Sequence, residues 1–204
     1  MRLLSHIVSV VFHPLFIPVY AIFILMRANP GIYQFLEVDS RLTLLQVIVN
    51  LVVLPAITIL IMRGLGFIKS FQMEGRTERI LPFVAGLFYY IWATVLFYRQ
   101  GILPLQFVAL IFGALLALVL AFLTNVLVSK VSLHTLAMGV VVGFFLAVFP
   151  GMEKNLTPIV IITILVAGLV GTSRLALKVH SQEEVYMGYF LGMLGQLAAL
   201  YIIT

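Results

Sequence analysis

Cysteine is absent from this chain, and charge is nearly so: Asp, Glu, Lys and Arg make up 9% of its 204 residues. The missing thiols exclude disulfides, thiolate catalysis and Cys-based zinc or iron–sulfur sites. Soluble domains are about one-quarter charged and half apolar, so so little charge beside 63% hydrophobic residues excludes that class. Acids are the scarcest charge, seven against twelve Lys and Arg, giving a net charge of +5 and a pI near 9.7. In so apolar a chain, a basic excess goes with anionic headgroups, orientation signals or a phosphate site, and no nucleic-acid partner is expected. Internal repeats and low-complexity segments are also lacking.

What the sequence does have is seven uncharged stretches: 3–26, 42–62, 80–98, 100–129, 131–152, 155–173 and 185–204. A membrane-spanning helix needs about 20 mainly apolar residues, so each stretch is a candidate span. The first is too long and too rich in proline for a cleaved signal peptide, and no small-residue cleavage site follows it. Its His13-Pro14 and Pro18 predict a kink or break. The charged remainder is too scattered to build a second core. These observations predict an all-α, polytopic membrane helix bundle with about six or seven transmembrane helices. The whole chain, 1–204, then forms a single integral membrane domain. Gly139/Gly143 and Gly188/Gly192, each spaced Gly-x-x-x-Gly, predict close backbone packing within the bundle.

Seven crossings put alternate loops on the same side. Loops 63–79, 129–134 and 174–184 share one face with the N-terminus. That face gathers Lys69, Arg76, Arg79, Lys130 and Arg174, the histidines His134 and His180, and Glu184. His180 and Glu184 are four apart and so share a helix face. The carboxylate can accept the imidazole Nδ1–H, which leaves Nε2 as a nucleophile or base. Several cations, hydroxyl and backbone donors and two imidazoles suit a phosphate monoester or diphosphate. Phosphoryl transfer asks mainly for positioning, neutralised oxygen charge and a proton for the leaving group. Other polar residues read as structural. His6 and His13 have no partner at helical spacing, and Gln46 and Asn50 are placed to hydrogen-bond between helices. Arg63 and Lys178 read as interfacial, and Tyr89, Tyr90 and Trp92 as packing or as the lining of a lipid-tail groove.

The run Ser173-Arg174, five residues, His180, three residues, Glu184 resembles the third motif of the type 2 phosphatidic acid phosphatase (PAP2) superfamily, Ser-Arg-x5-His-x3-Asp. Val131-Ser132-Leu133-His134 is similar to its second motif, Pro-Ser-Gly-His. Lys69 and Arg76 match the spacing of the first, Lys-x6-Arg-Pro, with Thr77 in the proline position and Arg79 as a rival for the arginine role. The resemblance covers roughly residues 63–203. It implies a PAP2-like helical core and a metal-independent membrane lipid phosphatase that needs no cofactor. Its substrate would be a phosphate monoester or diphosphate of the phosphatidic acid, phosphatidylglycerophosphate or undecaprenyl diphosphate type.

On that resemblance, His180 forms a phosphohistidine oriented by Glu184, and His134 protonates the leaving group and then activates water. Lys69, Arg76 or Arg79, Ser132, the Leu133 backbone N–H and Arg174 hold the phosphoryl oxygens; Lys130 is a further phosphate candidate. The family also implies a bacterial inner-membrane protein with its site facing the periplasm, whereas counting cations by loop favours the cytoplasm. The departures at Thr77, Val131 and Leu133 keep a second reading open, a non-catalytic PAP2-like protein that binds or transports lipid.

Overall fold

The computed structural model describes residues 2–28, 39–68, 77–148 and 155–203, and among these it is all-α. The helices are α1 (Arg2–Val11), α2 (Ile17–Ala28), α3 (Ser40–Gly64), α4 (Ile80–Gln100), α5 (Leu105–Leu127), α6 (Leu133–Val148), α7 (Thr157–Ala176) and α8 (Gln182–Ile203). Five of them, α3, α4, α5, α7 and α8, are long and apolar enough to cross a membrane. The other three are shorter apolar helices: α1 and α2 divide the first uncharged stretch between them, and α6 falls in the fifth.

The first stretch breaks where its sequence says it should. Pro14 lacks an N–H and restricts His13 before it, so α1 stops at Val11. The His13 carbonyl then accepts the N–H groups of Phe16 and Ile17, which starts α2. In α3 the proline acts differently. Pro55 would drive its ring into the carbonyl four residues back, and the helix widens into a π turn over Val49–Val53 just before it. Gly101, in the left-handed region at φ 63°, closes α4, and Pro104 opens α5.

Helix α8 lies at the centre, packed on α6 and α5. Its glycines make this possible. A Cβ on Gly192 would meet the Leu136 carbonyl at 2.2 Å, and one on Gly195 would meet the Ala117 backbone at 2.5 Å. Gly139 of α6 faces the Tyr189 backbone of α8 in the same way. Both Gly-x-x-x-Gly pairs therefore serve packing within the chain. Helices α3 and α4 lie further out, joined through Thr58 and Tyr89 hydroxyls at 2.5 Å and by Trp92 Nε1 donating to Asn50 Oδ1 at 3.1 Å. Asn50 thus bonds between helices as expected, with the indole of Trp92 as its partner.

Candidate functional site

The central packing brings four chain segments to one end of the bundle. They are the start of α4, the turn into α6, the turn from α7 into α8, and the end of α1 with the break that follows it.

The α7–α8 turn carries the most ordered group. Ser181 caps α8, its Oγ accepting the Glu184 N–H at 3.2 Å. Glu184 answers as the third residue of a capping box, its Oε2 accepting the Ser181 N–H at 3.4 Å. The same Oε2 lies 2.6 Å from His180 Nδ1. A carboxylate only accepts, so Nδ1 carries the hydrogen and Nε2 presents its lone pair. His180 is well enclosed, its side chain 5% exposed. Burial holds its pKa below the ordinary 6.5, as do the Arg174 and Arg79 charges, against the upward pull of the Glu184 hydrogen bond. Its neutral, nucleophilic form therefore predominates at neutral pH.

The α6 end is tied to this turn through the backbone, with the Ser132 N–H donating to the Glu184 carbonyl at 3.2 Å. Ser132 is fully buried and caps α6, its Oγ accepting the Thr135 N–H at 3.5 Å. The hydroxyl hydrogen is still available to donate to another acceptor. Leu133, half-buried, is the first residue of α6, where helix N–H groups have no intrahelical acceptor. His134 follows it, and Lys130 is half-buried just ahead of the helix.

The guanidiniums come from two further helices. Arg79 Nη1 donates to the Val131 carbonyl at 3.3 Å, and its charge acts on both Glu184 and Arg174. Arg174 Nη1 donates to Ser9 Oγ at 3.0 Å, while its Nε is buried with no hydrogen-bond partner. An unmade buried hydrogen bond costs about 1–3 kcal/mol, and more on a charged group. Two neighbouring, partly buried cations, one with an idle N–H, are an arrangement that an anion stabilises. A phosphoryl group can take Nε and Nη2 together as a fork, with Nη1 left on Ser9.

The structure thus gathers His180, Glu184, Ser132, Leu133, His134, Arg174 and Arg79 at one end. Lys69 and Arg76 lie outside the described residues, and Arg79 stands at the site. Two participants escaped the sequence reading. The Ser9 carbonyl lies 3.0 Å from His134 Nε2, and the His13 ring meets the His134 ring edge-on at 5.5 Å between centroids. Their signals were loop parity, which puts the N-terminus on this face, and a histidine beside a helix-breaking proline. Spacing along one helix could not show a partner that comes from α6. Among the described residues, no three His, Asp or Glu side chains stand together as metal ligands would.

Long apolar helices with a polar, cation-rich site at one end point to a membrane protein that handles an anionic group. Comparison narrows this: the PAP2 superfamily model matches residues 127–204, which is consistent with a PAP2 superfamily member. The matched stretch takes in α6, α7 and α8 with Ser132, His134, Arg174, His180 and Glu184, and it suggests phosphatase-type activity. No curated protein and no solved structure matches the chain.

Proposed function

We propose that the protein is a membrane lipid phosphatase that cleaves a phosphate monoester or diphosphate of a lipid through a phosphohistidine on His180. The observation that carries this reading is the pairing of His180 Nε2, left unprotonated by the Glu184 contact, with an Arg174 whose buried Nε lacks an acceptor.

Arg174 and Arg79 hold the phosphoryl oxygens, with the Ser132 hydroxyl and the N–H groups at the start of α6. His180 Nε2 attacks phosphorus, and the bond to the leaving oxygen breaks. That oxygen takes a proton from His134. Burial and the Arg174 charge push the His134 pKa down to about 3 until the bound phosphate offsets that charge and lets the ring take up a proton. The Ser9 carbonyl keeps a hydrogen on His134 Nε2, so the proton in transit travels on Nδ1. Water then attacks the phosphohistidine and gives its proton to His134, the P–N bond breaks, and inorganic phosphate leaves with His180 restored. Glu184 stabilises the charge that builds on the His180 ring during the first step.

The test is to trap the intermediate. Purified protein quenched during turnover of a radiolabelled lipid phosphate should carry an acid-labile, alkali-stable phosphoryl group on His180. Label on another residue, or turnover with no phosphoprotein, contradicts the mechanism. A second reading, a headgroup-binding relative without turnover, is favoured by one observation: Ser9 already engages both Arg174 Nη1 and His134 Nε2. Saturable lipid phosphate binding with no phosphate release would decide for it.

A further inference from the structure

An apolar cavity of about 360 Å³ lies between α2, α6 and α7. Its lining begins at Phe12, beside His13 in the chain, and at Met138, one helical turn past His134, so its upper end lies just below the candidate site. Below that it runs down two parallel helices. On α2 it is lined by Ile17 and Ile24, four and eleven residues past His13; on α6 by Met138 and Phe145, four and eleven residues past His134. With 1.5 Å of rise per residue along α6, the groove reaches from about 6 Å to about 16 Å below His134. Helix α7 runs the other way and closes the groove with Val166 and Ile162 at comparable depth.

Two polar side chains line the walls, and both turn their hydrogen bonds elsewhere. The Tyr20 hydroxyl donates to the Val11 carbonyl at 3.1 Å, across the α1–α2 break. The Thr163 hydroxyl donates to the Ile159 carbonyl within its own helix at 2.7 Å. An occupant therefore meets only hydrocarbon. The rim residues Tyr20, Phe23 and Ile162 are 39%, 42% and 59% exposed, so the groove opens sideways, toward where bilayer chains would lie.

We infer that this groove seats the single hydrocarbon chain of the lipid phosphate whose headgroup sits among His134, His180 and Arg174. The inference rests on the proposed phosphatase reading and gives it a substrate class: a phosphate or diphosphate on one linear acyl or prenyl chain. A volume of about 360 Å³ leaves room for one chain of about a dozen carbons and not for two, and the end nearer the histidines faces the polar site. A phosphate placed at the histidines sends its chain directly down between α2 and α6.

The experiment compares alkyl phosphates of four to sixteen carbons with phenyl phosphate, using the purified full chain in mixed micelles. For the unmodified protein, kcat/KM should climb with chain length and level off near a dozen carbons, where the groove ends, at about 16 Å. Val166→Trp and Ile24→Trp, on facing sides of the lining, fill the groove. Each should lower the kcat/KM ratio of hexadecyl to phenyl phosphate by about tenfold or more, the equivalent of about two lost methylene burials. A ratio unmoved in both variants, or no chain-length dependence, overturns the inference, and the groove then holds ordinary bilayer lipid. If the unmodified protein hydrolyses none of these phosphates, the phosphatase reading falls by itself. The groove is then tested with a hexadecyl phosphate carrying a mid-chain diazirine. Labelling of α2, α6 and α7 peptides supports the seat, and labelling confined to other helices refutes it.

Discussion

The C-terminal helices α6–α8 and the N-terminal pair α1–α2 both reach the candidate site, but they hold it in different ways. In the first region, backbone packs on backbone: Gly188, Gly192 and Gly139 let α6 and α8 touch, and Glu184 is at once helix cap, imidazole partner and acceptor for the Ser132 N–H. In the second region, single contacts do the work. Ser9 offers one hydroxyl and one carbonyl, and His13 one ring edge. The family match covers the first region and omits the second. The lesson is that the candidate chemical groups, Arg79 at the start of α4 apart, belong to the tightly packed half, while the N-terminal helices trim the site and line a neighbouring groove. The two should therefore respond differently to mutation.

The largest effect should come from the packed half. Arg174→Ala should lower phosphate release by about 10²- to 10³-fold, the usual cost of removing one donor that stabilises developing charge. Next, Glu184→Gln should cost about 10- to 100-fold, because the amide oxygen still accepts the Nδ1–H but the charge that strengthens the bond is gone. Its pH profile carries the sharper signal. Glu184 raises the His180 pKa against burial, so removing its charge lowers that pKa further, and the acid limb of activity, already below 6.5, should move to lower pH. A limb that moves upward would show that Glu184 does not act through His180.

Packing gives an internal contrast. Gly192→Ala pushes α8 off the Leu136 carbonyl and should destabilise by about 1–3 kcal/mol. Gly168→Ala faces open space within α7 and should stabilise by about 0.5–1 kcal/mol. Thermal melts in detergent measure both. The smallest effect belongs to the N-terminal region: Ser9→Ala keeps the carbonyl to His134, loses only the hydroxyl on Arg174, and should change activity by about 2- to 10-fold. A loss as deep as that of Arg174→Ala would erase the contrast between the two regions.

Much of this was readable from sequence, because charge in an apolar chain marks the helix ends. The uncharged stretches foretold the long helices, and loop parity foretold which ends meet. The His180–Glu184 spacing carried through to a 2.6 Å contact. The capping box Ser181-x-x-Glu184, found only in the structure, explains why a longer carboxylate serves here: Glu184 reaches both the cap and the ring. For Ser9 and His13 the sequence signalled only the face and the helix break, and their contacts were not legible. They depend on how a broken helix folds back onto α6 and α7, which is set by tertiary packing and leaves no period in the sequence. The groove was hidden for the same reason, since its apolar lining looks like any other membrane-facing surface.

The most direct test of the account is phosphate release from a panel of lipid phosphates by the purified protein, in the presence of chelator, beside His180→Ala. The account predicts release that chelator leaves intact and that falls to background in the variant. Release that survives His180→Ala, or no release from any member of the panel, would contradict it.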